Sequence, residues 1–541
     1  MPGRTVLQWD KDDCAYAGLV KFDLLGLGML AALRDCFDLV EKHYGPRWTM
    51  ASIPQEDPVV YQMLSEADTV GVFQVESRAQ MATLPRLRPR QFYDLVIEVA
   101  LIRPGPIQGG SVHPYLRRRD GLEDAAMPHE SMRAALGKTL GVPLFQEQMM
   151  QLAIDCAGFT PAEADRLRQA MSAKRAPERI TELRQRLLDG MAERGVGPDV
   201  ACDIYAKILA FSNYGFPESH AISFAYLVYA SAWLKWYYPA AFTAALLRNQ
   251  PMGFYAPHSL INDARRHGVQ VRGVDVNASA ALATLEGAAA DGTLEGVAAD
   301  GTLEGAAAPT IRLGLSEVRT LGRAAAEQVA AGQPYRDLAD FAARTRLPAA
   351  TLEALATAGA FGCFGLSRRA ALWAAGAAAS VREGQLAGTT VGLTAPPLPA
   401  MTPTEETLAD MWATGTYGTH PVAHIRAELA ARRVLTASSA RSAAADSAVA
   451  VAGLVTHRQQ PPTARGVVFL SLEDETGMLN VICPPHVWAR HRRIATTAPA
   501  LLIYGRIERT GGAANLVAVA LRPLRVAASG DRRADRHNYL V

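Results

Sequence analysis

Leu19-Val-Lys-Phe-Asp-Leu-Leu-Gly-Leu-Gly28 is the stretch on which the reading of this chain turns. Leu19 to Leu25 is an apolar run of strand length. Gly26 and Gly28 then make a turn, and a helix starts near Met29. Lys21 and Asp23 interrupt the run two residues apart, so on a strand both project from the same face. A carboxylate among Val20, Phe22 and Leu24 is costly to bury unless a partner or a metal compensates it. The pair is therefore either a structural ion pair or part of a metal site.

A chain of 541 residues is long enough for several domains, each with its own core. Lys+Arg 55 against Asp+Glu 53 leaves a net charge of +2, so contact with nucleic acid has to come from local clusters. No lysine follows Lys235, and arginine carries nearly all the positive charge. The six cysteines (14, 36, 156, 202, 363 and 483) form no CxxC pair, which indicates neither a zinc site nor a disulfide framework and fits a reducing cytosol. The N-terminus has no apolar leader core and no run reaches membrane-spanning length. A soluble cytoplasmic protein without membrane contact is expected.

Beyond the opening strand, Leu30, Leu33, Phe37 and Val40 recur at helical spacing between Met29 and His43. Thr69 to Gln80 reads as a short strand leading into a turn with Glu76 and Arg78. Glu98-Val-Ala-Leu-Ile-Arg-Pro-Gly-Pro-Ile-Gln-Gly-Gly110 ends an apolar helix in a fixed loop with Arg103 at its mouth. Its guanidinium could face a phosphate or cap the helix carbonyls, with equal weight on each. Thr160-Pro-Ala-Glu163 is a capping box that starts a helix carrying Arg166, Arg168, Lys174 and Arg175, a basic face suited to phosphate. Phe211 to His220 forms a glycine-containing turn in which Tyr214 and His220 can face a cleft. After it, Ile222, Tyr226, Tyr229, Trp233 and Trp236 make one buried helical stripe.

From Leu282 to Pro309 the texture changes. Thr-Leu-Glu-Gly recurs at 284, 293 and 302, and so little apolar mass predicts a disordered loop without chemistry. Helices return from Ile311 to Phe361, where Leu321-Gly322, followed by Arg323, resembles a helix-hairpin-helix turn able to hold a DNA phosphate on backbone amides. A Gly/Thr/Pro linker follows at 388–404. Five strands are then expected at Ala448–Thr456, Val467–Glu473, Leu479–Cys483, Ala500–Ile507 and Asn515–Leu521, with a helix between the third and fourth. That order suggests an OB-fold, with Arg458 and Arg506 on its surface for single-stranded DNA.

These words together resemble the alpha subunit of bacterial DNA polymerase III, the C-family polymerases: KFDLLGLG (21–28), GVFQVESR (71–78), ALIRPGPIQGG (100–110), PLFQEQMMQLA (143–153), NYGFPESHA (213–221) and FLSLEDETGMLNVI (469–482). VHPYLRRRDG (112–121), and an end just past the OB-fold, look like the error-prone branch, which acts in damage-induced, mutagenic lesion bypass. The resemblance implies a multidomain, mainly α fold. It assigns residues 1–30 to the end of a palm, 31–280 to fingers, 281–309 to the repeat loop and 310–385 to a helix-hairpin-helix region. Residues 386–445 become linker and connector, 446–526 the OB-fold and 527–541 a tail. It also implies a DNA-directed DNA polymerase (nucleotidyltransferase) with two Mg²⁺ ions, Asp23 as a catalytic metal ligand, and Lys21, Arg103, Tyr214 and His220 facing the nucleotide. Implied partners are primer-template DNA, dNTP and other mutasome proteins.

One departure qualifies that expectation. The family's other two catalytic aspartates lie in an upstream Pro-Asp-x-Asp motif that this sequence lacks; Asp10, Asp12 and Asp13 do not match it. One carboxylate cannot hold two divalent ions. The chain alone is expected not to polymerise DNA and to correspond to the C-terminal half of such an enzyme, from a truncated or split gene, completed by a separately encoded N-terminal half. The alternative is a non-catalytic DNA-binding or partner-binding module. No clamp-binding pentapeptide follows the helix-hairpin-helix region, which leaves contact with the sliding clamp open.

Overall fold

Helix Leu27–Tyr44 begins where the glycine turn ends, with Gly26 in the left-handed region at φ 89°. In the computed structural model the described residues are 9, 11–19, 26–102, 112–125, 127–171, 176–211, 216–287, 309–382, 385, 389–461, 464–510 and 513–525. The expected strand over Leu19–Leu25 lies almost wholly outside them.

Helix Glu218–Tyr237 is the axis of the first core. Its aromatic stripe packs on the segment after helix Leu27–Tyr44: Trp233 meets Trp48 edge-on at 5.1 Å, and the Tyr229 hydroxyl donates to the Pro54 carbonyl at 2.8 Å. Tyr229 and Trp233 are buried as the spacing predicts. Tyr226 departs from the stripe; it is 48% exposed and rests on Phe92. Helices Phe92–Leu101, Pro239–Arg248 and Pro257–Arg266 complete this layer. A second, separate core joins helices Gln146–Ala157, Pro161–Met171, Ala176–Glu193 and Pro198–Phe211.

The first core continues without a break into a small sheet and the helices beyond it. Strands β1 (Val271–Arg272), β2 (Thr284–Glu286) and β3 (Thr310–Arg312) lie in the order β1-β3-β2. Strand β2 is the first Thr-Leu-Glu of the repeat, which corrects the expectation that the whole segment is disordered. Leu285 is buried, and Glu286 accepts hydrogen bonds from both Arg272 and Arg312. A neighbouring strand and two guanidinium groups supply what the repeat's own composition lacks. The copies at 293 and 302 fall outside the described residues. Helices Arg323–Ala331, Leu338–Thr345, Ala349–Thr357 and Arg368–Ala378 follow.

The C-terminal unit is a closed barrel: β4 (Val434–Leu435), β5 (Ala448–Gln459), β6 (Val468–Asp474), β7 (Gly477–Cys483), β8 (Ala500–Thr510) and β9 (Ala513–Pro523). Strand β5 pairs with both β6 and β8, and β7 runs parallel to β9, which closes the five long strands. Helix Pro485–Thr497 stands between β7 and β8, as in an OB-fold. The short strand β4, parallel on β5, has no counterpart in the sequence reading. Among the described residues no helix is long and apolar enough to cross a membrane.

One buried charge has no obvious structural use. Glu98 is fully buried in helix Phe92–Leu101, and neither carboxylate oxygen has a hydrogen-bond partner among the described residues. Burial raises its pKa well above the usual carboxylate value. The folded state therefore loses stability, relative to a neutral isostere, as pH rises above the unfolded-state pKa near 4.5. Glu98→Gln should unfold at higher denaturant concentration than the parent at pH 7. The gap should widen with pH by up to ~1.4 kcal/mol per unit until the folded pKa is passed. Equal stability at pH 5 and pH 8 in both proteins would refute this.

Candidate functional site

Three of the sequence words meet along one aromatic seam. Gly26, whose φ of 89° favours glycine, packs on the Phe73 ring, which a Cβ there would meet at 3.4 Å, an ordinary contact distance. Phe73 meets Phe224 edge-on at 5.2 Å, Phe224 lies 4.1 Å from the His220 ring, and His220 lies 5.1 Å from Phe216. The end of the opening stretch, the 71–78 segment and the start of helix Glu218–Tyr237 thus share a wall. Beside it, Tyr93 donates to Glu218 at 2.6 Å, and the Glu218 amide donates to Glu147 at 2.9 Å.

The expected strand over Thr69–Gln80 is instead a tight turn entering helix Arg78–Leu87. Thr69 Oγ1 donates to the Val75 carbonyl at 2.8 Å, and the Gly71 amide to Glu76 at 3.1 Å. From helix Glu218–Tyr237, Ser231 Oγ receives the Phe73 amide and Lys235 Nζ donates to the Val70 carbonyl, both at 3.1 Å. Gly71 (φ 77°) is held so closely that a Cβ would sit 2.6 Å from Leu246. Side-chain bonds from a distant helix outweigh the β propensity of the Val-Gly-Val-Phe run. Burial raises Glu76 to about 7, although the Phe254 and Gly71 amides favour its charge.

Lys235 is buried and lies 2.7 Å from Asp263 and 2.9 Å from Asp68. His267 Nε2 bonds the other oxygen of Asp68, and Arg266 bonds the other oxygen of Asp263 at 3.0 Å. Burial alone would raise Asp68, but the Lys235 charge and His267 hold it well below the usual carboxylate range. Burial lowers His267, yet its bond to Asp68 and that carboxylate's charge outweigh it and leave the imidazole raised. Asp68, Asp263 and His267 are close enough to bind one cation. The Lys235 ammonium already stands among them and supplies that positive charge.

Of the candidate site residues, Asp23, Lys21, Arg103, Tyr214, Lys174 and Arg175 lie outside the described residues. His220 stands on the seam. Arg166 is exposed, while Arg168 pairs with Asp165 at 2.8 Å on its own helix. Gly322 precedes helix Arg323–Ala331 as its N-cap, and Arg323 pairs with Glu327 at 3.1 Å. Arg458 donates to the Ala495 and Ala498 carbonyls at the end of helix Pro485–Thr497, and Arg506 donates to the Asp446 carbonyl at 3.1 Å. Sequence reasoning missed Lys235, Asp68 and Asp263. The one available signal was a lysine set between Trp233 and Trp236 in an aromatic stripe.

The barrel docks on the helical part through a buried carboxylate. Glu473, fully buried on β6, accepts from Ser259 at 2.7 Å and Asn262 at 3.2 Å. Asn262 also donates to the Tyr417 hydroxyl at 2.8 Å, and Arg265 to the Tyr417 carbonyl at 2.6 Å.

With this geometry in place, residues 29–195 match the bacterial DNA polymerase III alpha subunit finger domain, and residues 268–371 match a helix-hairpin-helix motif. Over 99% of its length the chain is 56% identical to an error-prone DNA polymerase of Mycolicibacterium paratuberculosis. The chain belongs to the bacterial DNA polymerase III alpha subunit family. Relatives called error-prone DNA polymerase also include proteins of Mycobacterium tuberculosis (56% identity over 98% of this chain) and Corynebacterium efficiens (53% over 97%). The chain spans about half the length of these curated relatives, 48%, 47% and 47% respectively. The Lys235 cluster tests how the family fold is held. Lys235→Met leaves the buried Asp263 and the half-buried Asp68 without their shared cation and should cost about 3 kcal/mol in denaturant unfolding. The Asp68 and His267 shifts add a pH signature. The Asp68 share is present above its unfolded pKa and lost as pH falls through the folded one. The His267 share is present below its unfolded pKa and lost as pH rises through its raised folded pKa. A variant within 1 kcal/mol of the parent, on the scale of an exposed pair, would show that the cluster is dispensable.

Proposed function

We propose that these residues form the fingers-to-barrel portion of an error-prone DNA polymerase that acts in damage-induced lesion bypass. The observation that carries this is the aromatic seam, which brings the Gly26 turn, the 71–78 word and His220 to one place in a chain 56% identical to such enzymes. In this reading the palm end at 1–30 carries Asp23 and Lys21, the fingers at 31–280 carry Arg103, Tyr214 and His220, and these face the nucleotide's base and triphosphate. The helix-hairpin-helix region at 310–385 and the barrel at 446–526 hold primer-template DNA.

The described residues do not fit a two-Mg²⁺ centre. Their one cluster of three possible metal ligands is Asp68, Asp263 and His267, and Lys235 fills it. Asp23 would need two further carboxylates, and no Pro-Asp-x-Asp motif supplies them here. In this reading the 541 residues are inactive without the rest of a palm. Trp9, Tyr16, Leu19, Leu27 and Leu30 each expose an apolar side chain on which the rest of a palm can pack.

Primer extension with Mg²⁺ and all four nucleotides tests this reading. The chain alone should extend nothing, and a mixture with the N-terminal half of a family member should extend the primer. Asp23→Ala in the mixture should abolish extension. Extension by the chain alone would overturn the incomplete-site reading. No extension by the mixture, with DNA binding retained, would assign the chain a binding role instead.

A further inference from the structure

The turn over residues 69–76 carries Phe73 to the seam, and its two halves are held by different partners. Lys235 and Ser231 of helix Glu218–Tyr237 hold the first half, at the Val70 carbonyl and the Phe73 amide. The second half rests on Glu76. Glu76 is buried, and its carboxylate accepts the Gly71 amide at 3.1 Å, which closes the turn end to end. The same carboxylate accepts the amide of Phe254. Gly253, at φ 69°, lets that segment come so close that a Cβ there would lie 3.1 Å from Glu76 Oε1. The Tyr255 hydroxyl donates to the Glu76 carbonyl, also at 3.1 Å.

The 253–255 segment passes the contact on to the barrel. Phe254 leaves its side chain exposed and works through its backbone: the amide serves Glu76, and the carbonyl accepts from His457 Nε2 on β5 at 2.5 Å. The Tyr255 ring meets the His457 ring edge-on at 5.1 Å. Two residues beyond Glu76, Arg78 lays its guanidinium 4.0 Å over the Phe469 ring of β6. The turn is thus tied to two neighbouring strands of the barrel. Docking of the barrel has other supports, since Glu473 is held by Ser259 and Asn262, and Tyr417 by Asn262 and Arg265. Bonds to a carboxylate are charge-assisted, and in a buried chain each bond strengthens the next, so such a chain resists displacement.

We propose that the barrel braces this turn: His457, acting through the Phe254 backbone and the Glu76 carboxylate, is a positioning residue for Phe73 and so for the Phe73–Phe224–His220 seam. Phe469 adds a second brace through Arg78. The barrel thereby sets the geometry of the seam in addition to any contact with DNA. The consequence for nucleotide handling rests on the function proposed above, whereas the brace itself is read without catalysis.

The ring signals of isotope-labelled His220, assigned by their loss in His220→Gln, are compared in the full chain, His457→Ala, Phe469→Leu and Glu76→Gln. Hydrogen exchange over residues 69–78 is followed in the same proteins, and exchange over 257–266 and 468–474 checks that the Glu473 contacts persist. Each variant should shift the His220 signals. Exchange over 69–78 should rise about 5-fold, on the scale of one hydrogen bond, while helix Gln146–Ala157 exchanges as in the parent. A merely structural loss would lower the melting temperature and leave the His220 signals in place. The proposal is overturned if those signals do not move in docked His457→Ala, whatever the exchange shows. If that variant loses its docking contacts, Glu76→Gln decides on the same criterion. Failed primer extension with the His220 shifts intact would remove the polymerase reading and leave the brace standing; extension with unshifted signals would do the reverse.

Discussion

Lys235 is the group on which the arrangement depends. A single ammonium, buried in the middle of an aromatic helix, is compensated by Asp68 on the segment before the 69–76 turn and by Asp263 on helix Pro257–Arg266. It also holds the Val70 carbonyl. Desolvating a lysine is so unfavourable that these partners must stay in place, and three distant segments are thereby tied together. The turn so tied carries Phe73 to the seam, where Gly26 and His220 meet it. The positions of Phe73 and of the Gly26 turn packed on it therefore depend on a charge that touches neither.

The same helix, Pro257–Arg266, works in two directions. Asp263 faces Lys235, while Ser259 and Asn262 face Glu473 of the barrel, with Arg265 and Asn262 on Tyr417 between them. Buried polar groups satisfied on both sides fix orientation more strictly than apolar contact does, because a shift would strand a carboxylate without donors. The barrel's β6–β7 face is consequently held opposite Arg78. The cleft between the two units is thus lined by groups placed for docking, among them Arg78, whose guanidinium lies 4.0 Å over the Phe469 ring of the barrel.

Much of this was legible in the residues. The five long strands of the barrel were readable from period-two alternation and the Asp474-Glu-Thr-Gly477 turn, and the observed strands differ from the expected bounds only at their ends. The helix after Thr160-Pro-Ala-Glu163 was readable from its cap: Thr160 and Glu163 exchange hydrogen bonds as the spacing requires. The 69–80 segment misled because its β-branched residues favour a strand locally, whereas its partners are side chains from over a hundred residues away. Arg458 and Arg506 looked like surface charges, yet their guanidinium groups serve backbone carbonyls, a role that spacing cannot reveal.

The sequence by itself determined the family, the helical character of most of the chain and the barrel at its end, because periodicity, caps and turn residues act over a few positions. It also showed that a carboxylate motif is missing, since that is a matter of which residues are present. Only the tertiary structure decided how each buried charge is compensated. Lys235 has two carboxylates within 3 Å, whereas Arg78 lies over an aromatic ring. Compensation of a buried charge depends on distances between segments far apart in the chain, and no local pattern encodes them.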